Sequence, residues 1–168
     1  MSAAAGGGRI LAIDLGTRRI GVALSDPTGT IAFPLETITT ASAAGRRAAE
    51  RVADLCRRHD VALVVVGWPR NMDGSRGPAA RLAEVFAGRL RAALLVPVEL
   101  WDERLSTAAA DRTLIEAGVR REERRHARDR VAAALILQGY LNARRGEAGS
   151  VKSTGLRPPP SGHNDERS

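Results

Sequence analysis

At 168 residues and 43% hydrophobic content, the chain has the length of one domain and enough apolar mass for its own core, so neither a disulfide framework nor a structural metal is needed to fold it. A single cysteine, Cys56, excludes an internal disulfide and fits a reducing compartment; no apolar run reaches the ~18 residues of a membrane span, and no apolar stretch follows a basic start in 1–8, so a cytoplasmic location is expected. The net charge of +7 belongs to residues 1–145, with 23 basic and 16 acidic groups, while 146–168 holds three of each; a positive globular surface attracts polyanions, nucleic acid foremost, although one lysine against 25 arginines also points to a GC-rich genome as a source of that charge.

Residues 1–8 are small and read as a flexible N-terminus; the folded domain is expected over 9–145. Arg9 to Asp14 (RILAID) reads as a short apolar strand, Gly16 to Arg18 as turn chemistry, and Arg19 to Ser25 (RIGVALS) as a second strand, the short gap making an antiparallel hairpin. Thr30 to Pro34 is a third strand behind the turn signals Asp26-Pro27 and Gly29. Ala44, Ala48, Val52 and Leu55 recur at helical spacing within 43–58. Val61 to Val66 (VALVVV) is a continuous run of the kind found in a strand buried on both faces. After the loop Gly67 to Gly77, Pro78 suits the first position of a helix running to about Ala93.

Leu95 to Trp101 reads as a fifth strand, Ser106 as the cap of a helix over 107–116, and Ala127 to Ala143 as a last helix with Val131, Leu135, Leu137 and Leu141 in its apolar stripe. From Gly146 the chain is rich in Gly, Ser and Pro and is expected to be disordered. Antiparallel strands followed by βα units imply an α/β fold: a mixed five-stranded sheet with helices on both faces.

Asp14 stands where the first strand ends, and Asp102 and Glu103 where the fifth ends. If these strands and the fourth are parallel neighbours, their carboxyl ends share one edge, where sites in open α/β sheets lie. Carboxylates gathered there repel one another unless a cation lies between them, and an all-oxygen site suits Mg²⁺ or Mn²⁺. Two such ions ~4 Å apart can hold both the attacking water and the leaving oxygen of a phosphodiester. Adjacent residues point to opposite faces, so only one of Asp102 and Glu103 should meet Asp14; alternation at a strand end leaves open which.

Four blocks carry a resemblance. Ile10 to Asp26 (ILAIDLGTRRIGVALSD), Val64 to Pro78 (VVVGWPRNMDGSRGP), Trp101 to Thr107 (WDERLST) and Asp129 to Leu141 (DRVAAALILQGYL) are similar, in order and spacing, to the motifs of the YqgF/RuvX family of Holliday junction resolvases and pre-16S ribosomal RNA nucleases. The resemblance implies a ribonuclease-H-like fold, a nuclease activity using Mg²⁺ or Mn²⁺, and catalytic, metal-holding acids at Asp14, Glu103 and Asp129. Its implied substrates are branched DNA or precursor ribosomal RNA, and a homodimer is the expectation for a junction resolvase, since two symmetric cuts suit a two-fold enzyme. Trp68, Arg70 and Arg130 depart from the family pattern, which expects aliphatic residues at the first two and a small one at the third.

The candidate nucleic-acid contacts are Arg18 in the hairpin turn, Arg70, Asn71 and Arg76 in the Gly67 to Gly77 loop, Arg104 in the DER motif, and Arg124 and Arg125 ahead of the last helix. Glycines let a backbone approach phosphate closely, and a following helix offers free N–H groups. Two alternatives use the same residues. One is a binding module without catalysis on a nuclease scaffold. The other is an actin-like or sugar-kinase ATP fold opening on Asp14-Leu15-Gly16-Thr17, which needs a second domain for which this chain has no room.

Overall fold

The computed structural model describes residues 7–42, 44–103 and 121–153, the side chains of 121–128 and 146–153 excepted. Its elements are β1 (Arg9–Leu15), β2 (Arg19–Ser25), β3 (Ala32–Thr39), α1 (Arg46–Arg58), β4 (Val61–Trp68), α2 (Pro78–Ala93), β5 (Val98–Asp102) and α3 (Arg121–Ser153). The helix expected over 107–116 and the side chains of Arg104, Arg124 and Arg125 lie outside the described residues.

One five-stranded sheet runs β3-β2-β1-β4-β5. β1 pairs antiparallel with β2 and parallel with β4, and β4 pairs parallel with β5. The carboxyl ends of β1, β4 and β5 therefore share an edge, and the β1–β2 turn lies at that edge too.

Strict alternation divides the core. Leu11, Ile13, Val22, Val64 and Val66 face α1 and α2. Ile10, Ala12, Ala23 and Val65 face α3, meeting Ala133, Ile136, Leu137 and Leu141. The two layers differ in bulk: α3 lies over a face that presents alanines and glycines at its centre, so its backbone sits close to the sheet. Among the described residues no helix is long and apolar enough to cross a membrane.

Three boundaries differ from the sequence reading. β3 starts at Ala32 and continues to Thr39, because Pro34 sits on an edge strand at a register shift between Val22 and Ala23, where its missing N–H interrupts no inner ladder. β5 begins at Val98 and not at Leu95, which is fully exposed. α3 is longer than 127–143 at both ends, and its backbone continues through 146–153, part of the segment expected to be disordered. Once nucleated, a helix gains one hydrogen bond per residue added, and no proline occurs between Arg121 and Pro158.

Candidate active site

Alternation places the acids. Asp14 has the parity of Ile10 and Ala12, so it faces α3. Opposite it across the antiparallel ladder is Gly21, and a Cβ there would lie 1.9 Å from the backbone oxygen of Asp129. This missing side chain lets α3 rest on β2 and brings Asp129 to the level of Asp14. On β4, Gly67 follows Val66, the partner of Ile13; a Cβ on Gly67 would stand 2.3 Å from Glu103 Oε1 and 2.8 Å from Ile136 Cδ1. Glu103 is thus packed over Gly67 on the α3 face, and its backbone N–H reaches the Trp68 carbonyl at 3.3 Å.

Asp102 has the opposite parity. It shares its face with Trp68, its register partner, and lies 3.8 Å from Arg70 Nη1. Glu103 is therefore the acid that meets Asp14, a choice that strand alternation alone had left open.

Electrostatics follow from this packing. Burial raises the Asp14 carboxyl to about 6, with repulsion from Asp129 adding to it. Glu103 is raised to about 7 by burial, then by Asp14 and Asp102. Two neighbouring cations are already committed: Arg19 Nε donates to Asp129 Oδ2 at 3.0 Å, and Arg70 stands against Asp102. Asp14 and Glu103 have no ion pair among the described residues.

The donor set is entirely carboxylate oxygen, half-buried and mutually repelling, which is the chemistry a hard divalent cation relieves. The residues fit such an ion in kind. Among the described residues, however, no three acidic, His or Cys side chains already converge as a ligand cluster; Asp129 is near enough to repel Asp14 while its carboxylate is paired with Arg19.

The expected phosphate-contact loop is internally braced. Arg70 donates through Nε (3.1 Å) and Nη2 (2.5 Å) to the Gly74 carbonyl and stacks over Trp68, 4.7 Å from the ring centroid. Asn71 donates to Ser75 Oγ, and Arg76 pairs with Glu84 on α2 at 2.8 Å. Gly74 adopts φ +85°, a left-handed turn that glycine accepts without strain. Arg18 is exposed beside the site. Sequence reasoning missed Arg19, Gly21 and Gly67 as site-forming residues. A signal was available in the small residues alternating with apolar ones along β1, β2 and β4, which mark the face a helix approaches closely.

Gly67→Ala tests this packing. The new methyl meets side-chain ends that can rotate, so stability should fall by only about 1–3 kcal/mol. Glu103 must move, and a displacement of ~1 Å at a reacting group can cost about a hundredfold in rate. Urea denaturation and a cleavage assay on one preparation measure both; a variant losing stability and activity in proportion contradicts the placement of Glu103.

A mixed sheet of this order, with acids at the carboxyl edge of its parallel strands, defines the ribonuclease-H-like α/β class. RuvC of T. thermophilus in complex with a Holliday junction substrate shares this fold, with a TM-score of 0.52 at 21% identity over 83% of this chain and 96% of that one. The family described as "RuvX: Holliday junction resolvase" matches residues 8–143. Relatives from Geobacillus thermodenitrificans (49% identical over 137 residues, 82% of this chain and 99% of that protein) and Pelotomaculum thermopropionicum (47% over 154 residues, 90% and 99%) carry the name "Putative pre-16S rRNA nuclease". The chain belongs to the RuvX (YqgF) family of nucleases.

Proposed function

We propose that this protein is a divalent-metal-dependent endonuclease acting on structured nucleic acid, with Asp14, Glu103 and Asp129 as its catalytic acids. The observation that carries this reading is the pair Asp14 and Glu103: two half-buried carboxylates on one face, raised by burial and repulsion, with Asp129 beside them. Mg²⁺ or Mn²⁺, as one ion or two, bound there would supply Lewis acidity and a water acidified for attack on phosphorus. Asp14, Glu103 and Asp129 would hold the ion or ions, Asp14 from its central strand and Glu103 and Asp129 from either side of it. The strongly basic surface, with Arg18 at the site's rim, orients the polyanion.

Precursor 16S ribosomal RNA is the favoured substrate, because relatives matching almost their full length carry that name. A four-way DNA junction is the second reading, favoured by the description of the family; two symmetric cuts on a junction would call for a homodimer. The discriminating experiment incubates the purified protein with precursor 16S RNA and with a four-way junction, in Mg²⁺ or Mn²⁺ and in EDTA, with Asp14→Asn as control. Metal-dependent cleavage of the RNA at its 5′ side, abolished by Asp14→Asn, is the expected result. Tight binding to both nucleic acids without cleavage by the wild type would instead favour a non-catalytic binding module.

A further inference from the structure

Arg19 has no role in the reading above, yet among the described residues it makes the one hydrogen bond to the Asp129 side chain. The two residues are 110 apart in the chain and join β2 to α3. Arg19 shares its strand face with Gly21, two residues on, where α3 rests on the sheet. The α3 backbone is thus fixed at Asp129 by a glycine contact, but the carboxylate itself could still rotate. The Arg19 carbonyl accepts a 2.8 Å hydrogen bond from Gly16 N–H, closing the β1–β2 turn, so the guanidinium is mounted on a tied hairpin. Nε holds Oδ2 at 3.0 Å, with the two side chains 37% and 23% exposed. Asp129 Oδ1 has no hydrogen bond among the described residues.

We infer that Arg19 is a positioning residue: it anchors one oxygen of Asp129 to β2 so that the other is presented to the Asp14–Glu103 pair. This rests on the proposed metal site. As a partly exposed ion pair the contact adds little to stability. Its value lies in orientation, since carboxylates that ligate metals are commonly held by an outer hydrogen-bond partner whose loss weakens metal binding by about 10- to 100-fold. A planar guanidinium bonding through Nε fixes direction as well as charge; an ammonium supplies charge with looser geometry.

The test reads metal binding without substrate, as the rise in thermal midpoint of the full chain titrated with Mn²⁺. Arg19→Ala should move the half-saturating Mn²⁺ concentration upward by roughly tenfold while leaving the metal-free midpoint nearly unchanged, and Arg19→Lys should recover part of the loss. Arg89→Ala, removing an exposed charge on α2, should leave the titration as in wild type. An Arg19→Ala titration that is unchanged, or shifted to lower Mn²⁺, overturns the positioning role; the lower shift would mean that the guanidinium competes with the ion. In both cases a wild-type response abolished by Asp14→Asn keeps the metal site itself intact. If the wild type shows no Mn²⁺ response at all, the metal site and the role of Arg19 fall together.

Discussion

Asp14→Asn should make the metal-free protein more stable at pH 8 while abolishing its nuclease activity. The folded-state carboxyl sits at about 6 against an ordinary value of 3.8, so between those pH values the folded form binds more protons than the unfolded one. Stability linked to this group is full below about pH 4 and is lost as pH rises through 6. A carboxyl raised from 3.8 to about 6 corresponds to at most about 3 kcal/mol, because the residue is only partly buried. Asparagine carries no such loss, so its advantage should be largest at pH 8 in EDTA and should vanish near pH 4.

Mg²⁺ or Mn²⁺ should reverse the order, stabilising the wild type and leaving the variant unmoved. The same linkage means that wild-type metal binding releases protons and weakens as pH falls from 7 to 5. Activity should drop by more than the ~100-fold cost of losing a merely supporting group. Urea denaturation at pH 4, 6 and 8, with and without metal, checks the sign; a variant less stable than wild type in EDTA at pH 8 contradicts the electrostatic account of this site.

Gly21→Ala should be the most damaging alanine substitution among the described glycines. The added carbon would lie 1.9 Å from the Asp129 carbonyl oxygen and 2.4 Å from its carbon, both backbone atoms that cannot rotate away. Relief requires moving α3 off β2, which disturbs the packing of Ala133, Ile136 and Leu137 against the sheet. Overpacking usually costs 1–3 kcal/mol, and a backbone clash belongs at or above the top of that range, about 3 kcal/mol or more. Because Asp129 travels with the helix, activity should fall in parallel, by about a hundredfold or more. Gly88→Ala is the contrasting substitution: nothing lies within 4 Å of the added carbon, and alanine in an exposed helix stabilises by roughly 0.5–1 kcal/mol. Denaturant midpoints of the two variants should therefore move in opposite directions. A Gly21→Ala protein with native stability would show that α3 does not rest on β2 as described.

Much of this architecture is written in local sequence. The β1–β2 hairpin, the buried β4 run and α2 opening at Pro78 each arise from short-range patterns, because periodicity and turn chemistry act over a few residues. The placing of Asp14 and of the Asp102–Glu103 pair at strand ends is legible too; that these ends share one edge rests on the parallel pairing of β1, β4 and β5. β3 was less legible: Pro34 looks like a terminator, and only the sheet shows it to be an edge residue at a register shift. The loop at 67–77 is legible as a candidate phosphate contact from its glycines, Arg70, Asn71 and Arg76; that these three side chains also bond within the loop or to α2 is something no pattern in the chain reveals.

The sequence by itself determined the α/β class, the order of its strands and helices from β1 to β5, and the acids available at one edge. The family resemblance points to Glu103, but the physical reason that one acid and not the other meets Asp14 lies only in the tertiary structure. Asp102 and Glu103 are equivalent until α3 is known to cover the face shared by Ile10, Ala12 and Asp14; that cover turns Glu103 inward and leaves Asp102 to Arg70. It also set the carboxyl of Asp14 near 6 and gave Asp129 to Arg19. The physical reason is range: strand alternation is a property of neighbours along the chain, but burial and charge repulsion depend on groups that meet only after a helix more than a hundred residues away has packed on the sheet.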